Sequence, residues 1–190
     1  MSEPRTPLAR ARLESGHVIR IAERGPVGQV TLRADLADRA VARAVEKAAG
    51  VAVPERLSAR FEGARAAVWM APDELLLLCA YDEAPALVAA LDEALTGTHH
   101  LALDVSDARV VFALEGARVA EVLAKGAPVD LAPAAFPVGR ARRTHLAGVA
   151  AAFWRRAESE WELVCFRSVA RHVFDWLAQA SREGSAVGAF

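Results

Sequence analysis

The chain has 190 residues, of which 54% are hydrophobic, and a formal net charge of −1. That length accommodates one large domain or two small ones with a buried core. The near-neutral charge excludes a general electrostatic attraction to nucleic acid or to an anionic membrane surface, so we expect neither partner. No apolar run approaches the roughly 20 residues of a membrane span, and residues 1–7 lack the apolar stretch of a secretory signal, so we expect a cytoplasmic protein.

Residues 1–25 mix proline, arginine and glutamate with short apolar side chains and show no sustained period. Two interpretations are open. The segment is a mobile terminus, or it is an N-terminal arm that becomes ordered against a partner, with Leu8, Leu13, Val18 and Ile19 as its contacts.

Residues 26–106 predict a first α+β domain with the order strand, helix, strand, strand, helix, strand. Asp35 is the predicted N-cap of the first helix, and four leucines, Leu75 to Leu78, predict a strand that is covered on both faces. This order is typical of the ferredoxin-like, or split βαβ, arrangement, in which two helices cover one face of a four-stranded antiparallel sheet. The predicted strands are 27–33, 66–71, 75–80 and 99–105, and the predicted helices are 36–49 and 83–95.

Residues 107–182 predict a second α+β domain. A strand over 109–114 precedes a helix over 117–125, and Gly126 is placed to end that helix in a left-handed conformation. Strands over 144–154 and 161–166 are predicted to pair across a polar turn, and Ser168 is placed to cap a last helix over 169–180. Residues 183–190 are predicted to be a flexible tail.

The second halves of the two domains align without a gap, both in the strand and in the helix that follows it. We therefore expect an α+β fold of two ferredoxin-like units, with antiparallel sheets and helices on one face, related by internal duplication. A chance similarity of two hairpin–helix segments is the alternative. The aligned positions are Leu75–Cys79 with Trp161–Cys165, and Leu87, Val88 and Leu91 with Val173, Phe174 and Leu177.

The sequence contains no motif with a fixed chemistry. The five histidines lie at no metal-ligand spacing, and Cys79 and Cys165 make neither a disulfide framework nor a zinc site. We expect both thiols to be small buried hydrophobes. Ser106 and Ser168 lack a nucleophile elbow, and the glycines form neither a dinucleotide fingerprint nor a phosphate loop. We therefore assign no catalytic, cofactor-binding or metal-binding residue.

Basic and aromatic side chains in the second domain suggest a surface for a partner protein. Arg140, Arg142 and Arg143 lie close together in the sequence, and arginine binds carboxylates bidentately at interfaces. Trp161 and Trp176 are candidate anchors, because tryptophan is favoured at interface hot spots. The alternatives are a solvated face for the arginines and core positions for the tryptophans.

Three stretches carry a family resemblance: DVSDARVVFALEGARVAEVLAKGAPVDL (104–131), VWMAPDELLLLC (68–79) and AFPVGR (135–140). They resemble the gamma subunit of heterotetrameric sarcosine oxidase and, more distantly, the aminomethyltransferase (glycine-cleavage T protein) fold, over roughly residues 28–179. One departure is Ala127, where the family usually has cysteine. A second concerns the strand in which the aminomethyltransferases carry a catalytic aspartate, because this sequence has Ala151 and Ala152 there. An alanine side chain cannot transfer a proton, so the resemblance implies the scaffold without the catalytic group.

The resemblance implies a non-catalytic structural subunit in a complex with alpha, beta and delta subunits. Such a complex carries FAD, FMN and NAD on the other chains and oxidatively demethylates sarcosine to glycine, with tetrahydrofolate as the one-carbon acceptor. Two other functions stay open. One is a free-standing folate-binding or one-carbon-transfer protein, and the other is a homodimeric binding module with no oxidase partner.

Overall fold

The computed structural model describes residues 5–188, and these form two compact units. The central unit is Pro26–Asp107. The terminal unit combines the described residues of Met1–Gly25 with those of Ala108–Phe190. No helix within residues 5–188 is both long enough and apolar enough to cross a membrane.

Eleven strands and four α-helices are present in the described part of the chain. The strands are β1 (Arg12–Leu13), β2 (Arg20–Glu23), β3 (Val27–Ala34), β4 (Ala59–Glu62), β5 (Arg65–Ala71), β6 (Glu74–Ala80), β7 (His100–Asp104), β8 (Arg109–Glu115), β9 (Ala141–Leu146), β10 (Val149–Ala157) and β11 (Glu160–Phe166). The helices are α1 (Arg39–Ala49), α2 (Ala84–Ala94), α3 (Val119–Ala124) and α4 (Ala170–Ala180).

The central unit is an antiparallel sheet with the strand order β4-β5-β6-β3-β7. Alternate residues of β3 and β6 face α1 and α2 and form one apolar core with them, as period-2 strands and an amphipathic helix require. The predicted double coverage of β6 is confirmed, since all four side chains from Leu75 to Leu78 are buried. The helix cap differs from the prediction. Asp38, and not Asp35, accepts from the first turn of α1, while Asp35 closes the preceding turn through the N–H of Ala37.

The terminal unit is a second antiparallel sheet, with the order β1-β2-β8-β11-β10-β9. Its apolar core lies between one face of this sheet and helices α3 and α4. The chain is therefore α+β, with two antiparallel sheets and few helices. Ser168 does not cap α4 as predicted, because the N-cap position is Val169 and no side-chain cap hydrogen bond forms there.

The N-terminal segment forms part of the terminal unit's sheet. Strand β2 pairs with β8 in the register Ile21↔Leu114, and Ile19 and Ile21 are buried in the core. The partner that orders these residues is thus a strand of the same chain. This pairing joins positions about 90 residues apart, so no local pattern within residues 1–25 signals it.

One expected strand is two strands in the structure. Residues 144–154 were predicted to be continuous, but Ala147 (φ 51°) and Gly148 (φ 82°) form a two-residue turn between β9 and β10. Two positive φ angles are the requirement of the tight hairpin turn whose twist matches that of the strands. The usual Asn-Gly or Asp-Gly signal is missing, since an alanine occupies the first left-handed position.

Gly126 has a different role from the predicted left-handed stop. Its φ is not positive, and a Cβ at this position would lie 2.4 Å from Cζ2 of Trp176 on α4. Glycine is therefore required by the close approach of the chain after α3 to the indole ring. The packing of α4, rather than the ending of α3, determines the residue at this position.

Candidate subunit interface

The three candidate arginines follow the outer edge of the terminal sheet. Arg142 and Arg143 lie on β9, which has only β10 as a strand neighbour among the described residues, opposite Phe153 and Ala152. Arg140 precedes the strand, and its carbonyl accepts the N–H of Arg155 at 3.0 Å. Charged side chains are a common protection of an edge strand against unwanted pairing.

Strand alternation separates these arginines into two sets. Arg142 is opposite Phe153 and lies on the helix-covered face, whereas Arg143 is opposite Ala152 and lies on the other face. Arg143 is exposed, and Arg142 and Arg140 are partly buried. The sequence cluster is therefore a rim around the β9 edge and not one flat basic patch.

Arg155 contacts its own chain through both terminal nitrogens of its guanidinium. It donates to the carbonyls of Phe136 (3.1 Å) and Glu158 (2.8 Å) and to the Glu158 carboxylate (2.6 Å). The guanidinium carbon also lies 5.6 Å from the centroid of the Trp161 ring, within the range of a cation–π contact. This arginine orders the loop between α3 and β9 against the turn after β10.

Trp161 lies in the core of the terminal unit and is 3% exposed. Its ring stacks on Phe136 with 4.9 Å between centroids and an interplanar angle of 18°. A side chain so enclosed has no surface to offer a partner, so the core alternative describes it. Trp176 is half-buried on α4, where it packs against the apolar core and its ring lies against Gly126.

A polar cluster of the terminal unit is centred on Glu162, which was not among the predicted site residues. Glu162 on β11 is 5% exposed. One carboxylate oxygen pairs with Arg24, while the other accepts the indole N–H of Trp154 at 2.8 Å and lies 3.7 Å from Arg156. The sequence signal for this cluster is a single glutamate within the apolar strand WELVCF. A buried carboxylate at such a position needs cationic or hydrogen-bonding partners.

Two further carboxylates attach the ends of the chain to the terminal unit. Buried Glu23 accepts the hydroxyl of Thr6 (2.8 Å) and the backbone N–H groups of Leu8 (3.1 Å) and Arg10 (2.7 Å). Glu121 accepts the N–H groups of Val187 (2.6 Å) and Gly188 (3.3 Å). These backbone hydrogen bonds, that of Val187 first, hold the pKa of Glu121 below its ordinary value.

The C-terminal residues differ from the flexible tail predicted for 183–190. Besides the bonds to Glu121, the ammonium of Lys125 donates to the carbonyls of Ala180 and Ser185, both at 2.7 Å. A cation at the C-terminal end of α4 also favours the helix dipole. Residues 183–188 are thus tied to α3, and residues 189 and 190 lie outside the described part of the chain.

The two cysteines, and Ala151 and Ala152 of β10, are placed for packing. Cys79 and Cys165 are unpaired and buried, as predicted, and desolvation raises their pKa values to about 11 and about 12. Ala151 and Ala152 are buried on β10. Within residues 5–188, no group of three or more His, Cys, Asp or Glu side chains is arranged to hold a metal ion.

Comparison with known proteins gives consistent results. Residues 33–183 match the model of the sarcosine oxidase, gamma subunit family. The "Sarcosine oxidase subunit gamma" of Corynebacterium sp. (strain U-96) is 39% identical over 145 residues, which are 75% of this chain and 70% of that protein. The gamma subunit of Corynebacterium sp. (strain P-1) is 34% identical over 143 residues, covering 74% and 69% of the two chains.

Solved structures agree with these relatives. A chain of the heterotetrameric sarcosine oxidase from Corynebacterium sp. U-96, in complex with pyrrole 2-carboxylate, superposes with a TM-score of 0.84 at 32% identity, covering 98% of this chain and 99% of that one. The aminomethyltransferase T of the glycine cleavage system from Bartonella henselae shares the fold, with a TM-score of 0.60 at 16% identity over 82% of this chain and 44% of that chain. From the family model and the identities across most of its length, the chain belongs to the sarcosine oxidase gamma subunit family.

Proposed function

We propose that this chain is the non-catalytic gamma subunit of a heterotetrameric sarcosine oxidase. The complex oxidatively demethylates sarcosine to glycine with tetrahydrofolate as the one-carbon acceptor. The observation that carries the proposal is the superposition on a chain of the Corynebacterium heterotetramer over nearly the full length of both chains. The partners are the alpha, beta and delta subunits, in the cytoplasm, and FAD, FMN, NAD and the folate site belong to them.

The polar chemistry of the described residues supports a structural role. Glu162, Glu23 and Lys125 each have several partners within the terminal unit. Both thiols are held in their neutral form by burial at physiological pH. A general base or nucleophile needs a titratable group with free access to substrate, and these groups are instead engaged in holding the fold.

The arginine rim at β9 is the proposed contact with a partner subunit. Arg140, Arg142 and Arg143 project around one sheet edge and are suited to bidentate pairing with carboxylates. Trp176 adds a half-buried aromatic surface on α4. Trp161 is left out of this proposal, because its ring is enclosed by Phe136 and the core.

The two units are further proposed to be ferredoxin-like repeats produced by internal duplication. Strand order supports this, because β4-β5-β6-β3-β7 in the central unit corresponds position by position to β9-β10-β11-β8-β2 in the terminal unit. In this correspondence β2 from the N-terminal segment occupies the place that β7 fills in the central unit. The repeat in the terminal unit is therefore completed by residues that precede the central unit in the chain.

Co-expression tests the proposed function. The four subunit genes are expressed together with an affinity tag on this chain, and the purified material is examined by absorption spectroscopy and by sarcosine turnover. We expect yellow, flavin-containing partners and activity. A colourless chain that purifies alone under these conditions would overturn the proposal. If that lone chain also binds tetrahydrofolate in a calorimeter, the free-standing folate-binding protein is the correct alternative.

A further inference from the structure

Acidic side chains are segregated in the second half of the central unit. Residues 66–108 contain no lysine or arginine, although the whole chain has 23 such residues. The same stretch contains eight carboxylates: Asp73, Glu74, Asp82, Glu83, Asp92, Glu93, Asp104 and Asp107. A one-signed local field of this kind favours a partner of the opposite charge.

Strand β7 lies within this acidic stretch and forms an edge of the central sheet. Its neighbour among the described residues is β3 alone. Leu101 and Leu103 both lie on its outer face and are 47% and 48% exposed. Ala102, between them, faces the core. Two leucines on one face of an edge strand form an unprotected apolar surface.

The other sheet edges in the described part of the chain are protected. Strand β9 carries Arg142 and Arg143, β4 carries Arg60 and Glu62, and β1 has only two residues. Charged side chains and shortness are the usual means by which proteins prevent edge-to-edge pairing. Strand β7 lacks both protections over its central three residues, so its edge is the one suited to accept another strand.

The hydrogen-bond register places free backbone groups on this edge. The N–H of Val105 donates to the carbonyl of Gln29 at 2.8 Å, so in an antiparallel ladder Leu103 and Leu101 also bond to β3. The N–H and C=O of Ala102 then point away from β3, toward the open edge. An added strand would meet these groups in register, as in β-strand addition.

Four carboxylates lie around this edge, and none of them is paired with a lysine or arginine of the described residues. Asp92 and Glu93 lie on α2, which packs against β7, and Asp104 and Asp107 lie at the end of β7 and just beyond it. Asp104 accepts from Ser106, Asp107 accepts from the Tyr81 hydroxyl, and Asp92 lies 3.1 Å from His100. Among the described residues, none of the four carboxylates has an ion pair with lysine or arginine.

We propose that β7 is a docking edge for an extended segment of a partner subunit of the oxidase. The segment carries apolar side chains that cover Leu101 and Leu103, and flanking lysine or arginine side chains that meet Asp92, Glu93 and Asp104. The proposal rests on the proposed function, which supplies the partner. Charge complementarity selects a basic segment, and the two leucines with the open backbone groups of Ala102 select a strand.

Competitive assembly tests the docking edge. Wild-type chain and a mass-distinguishable variant are co-expressed at equal levels with the other three subunits, the complex is purified through a tag on the alpha subunit, and the incorporated ratio is measured by mass spectrometry. We expect the L101S/L103S variant to be under-represented at least tenfold. The matched control is Val187→Ser, since Val187 is 66% exposed in the terminal unit and lies outside the proposed β9 contact, so this variant should be incorporated equally.

A second variant addresses charge without changing apolar surface. Glu93→Gln combined with Asp104→Asn should reduce incorporation several-fold at low ionic strength and less at high ionic strength, because salt screens exposed charges. Thermal unfolding of each isolated variant checks that the fold is retained. If the leucine variant fails to fold, the incorporation of this charge variant alone decides whether β7 is the docking edge.

Each outcome is informative. Equal incorporation of the leucine and charge variants overturns the docking edge and leaves the proposed function standing. If even the wild-type chain is missing from the purified complex, the proposed function itself fails. If the isolated chain is a dimer that L101S/L103S converts to a monomer, a second copy covers the edge and the partner-segment proposal is wrong.

Discussion

The carboxylate of Glu162 accepts the indole N–H of Trp154 at 2.8 Å, on the face of the terminal sheet opposite α3 and α4. The same carboxylate pairs with Arg24, which directly follows β2. The buried carboxylate of Glu162 therefore connects β10 and β11 of the terminal sheet to the N-terminal segment. This connection explains how residues that look like a loose terminus become part of the sheet.

Replacement of Glu162 by glutamine should destabilise the terminal unit by about 2–4 kcal/mol, because the guanidinium groups of Arg24 and Arg156 lose their anionic partner. The carbonyl oxygen of the glutamine side chain can still accept the indole N–H of Trp154. The loss of stability therefore measures the contribution of the negative charge. Urea-induced unfolding of the isolated chain measures the effect. The matched control is Glu160→Gln, an exposed carboxylate two residues away on the same strand. Equal stability of the two variants would contradict this account.

Replacement of Gly126 by alanine should destabilise the protein by about 1–3 kcal/mol, since the new methyl group overlaps the Trp176 ring. The double variant G126A/W176L should recover part of this loss, because a smaller side chain leaves room for the methyl group. Thermal denaturation of the two single variants and the double variant gives the coupling free energy between positions 126 and 176. Independent, additive effects would show that the ring and the glycine do not interact.

Acidification should release the C-terminal segment before the rest of the terminal unit. Backbone hydrogen bonds lower the folded-state pKa of Glu121. A lowered pKa means that the carboxylate stabilises the folded segment above its ordinary pKa, and that this stabilisation is lost as pH falls through the folded-state pKa. The amide resonances of Val187 and Gly188 should therefore shift together in an NMR titration below about pH 4.5. The Glu121→Gln variant should abolish that shift, and its persistence in the variant would rule out Glu121 as the titrating group.

The two cysteines should be unreactive in the folded protein. Desolvation raises the thiol pKa of Cys79 to about 11 and that of Cys165 to about 12, so the thiolate fraction at pH 8 is very small. A disulfide-exchange reagent at pH 8 should label neither residue within minutes in buffer and both in denaturant. Rapid labelling of one thiol in the folded chain would mean that its site is open to solvent.

The sequence predicts local elements well where one periodicity dominates. The β5–β6 hairpin and the four buried leucines of β6 follow from β-propensity and turn chemistry that lie entirely within the segment. The two buried thiols follow from apolar strand surroundings. These features depend on residues within a few positions of one another.

Features that depend on distant residues are not predictable in the same way. The place of β2 beside β8 depends on a long-range pairing, and the role of Glu162 depends on Arg24, which is 138 positions away. The turn at Ala147 and Gly148 is hidden because a non-glycine residue adopts a positive φ. The sequence makes Trp161 a candidate partner contact, because its position on a strand does not show that Phe136 stacks on it.

We propose that this chain works as a structural subunit of a larger oxidase. Native mass spectrometry of the co-expressed, purified complex tests it most directly. We predict an assembly that contains this 20.3 kDa chain together with the alpha, beta and delta subunits, with every flavin leaving on another chain when the assembly is dissociated. A 20.3 kDa species that stays alone beside assembled partners, or that itself retains a coenzyme, would contradict the account.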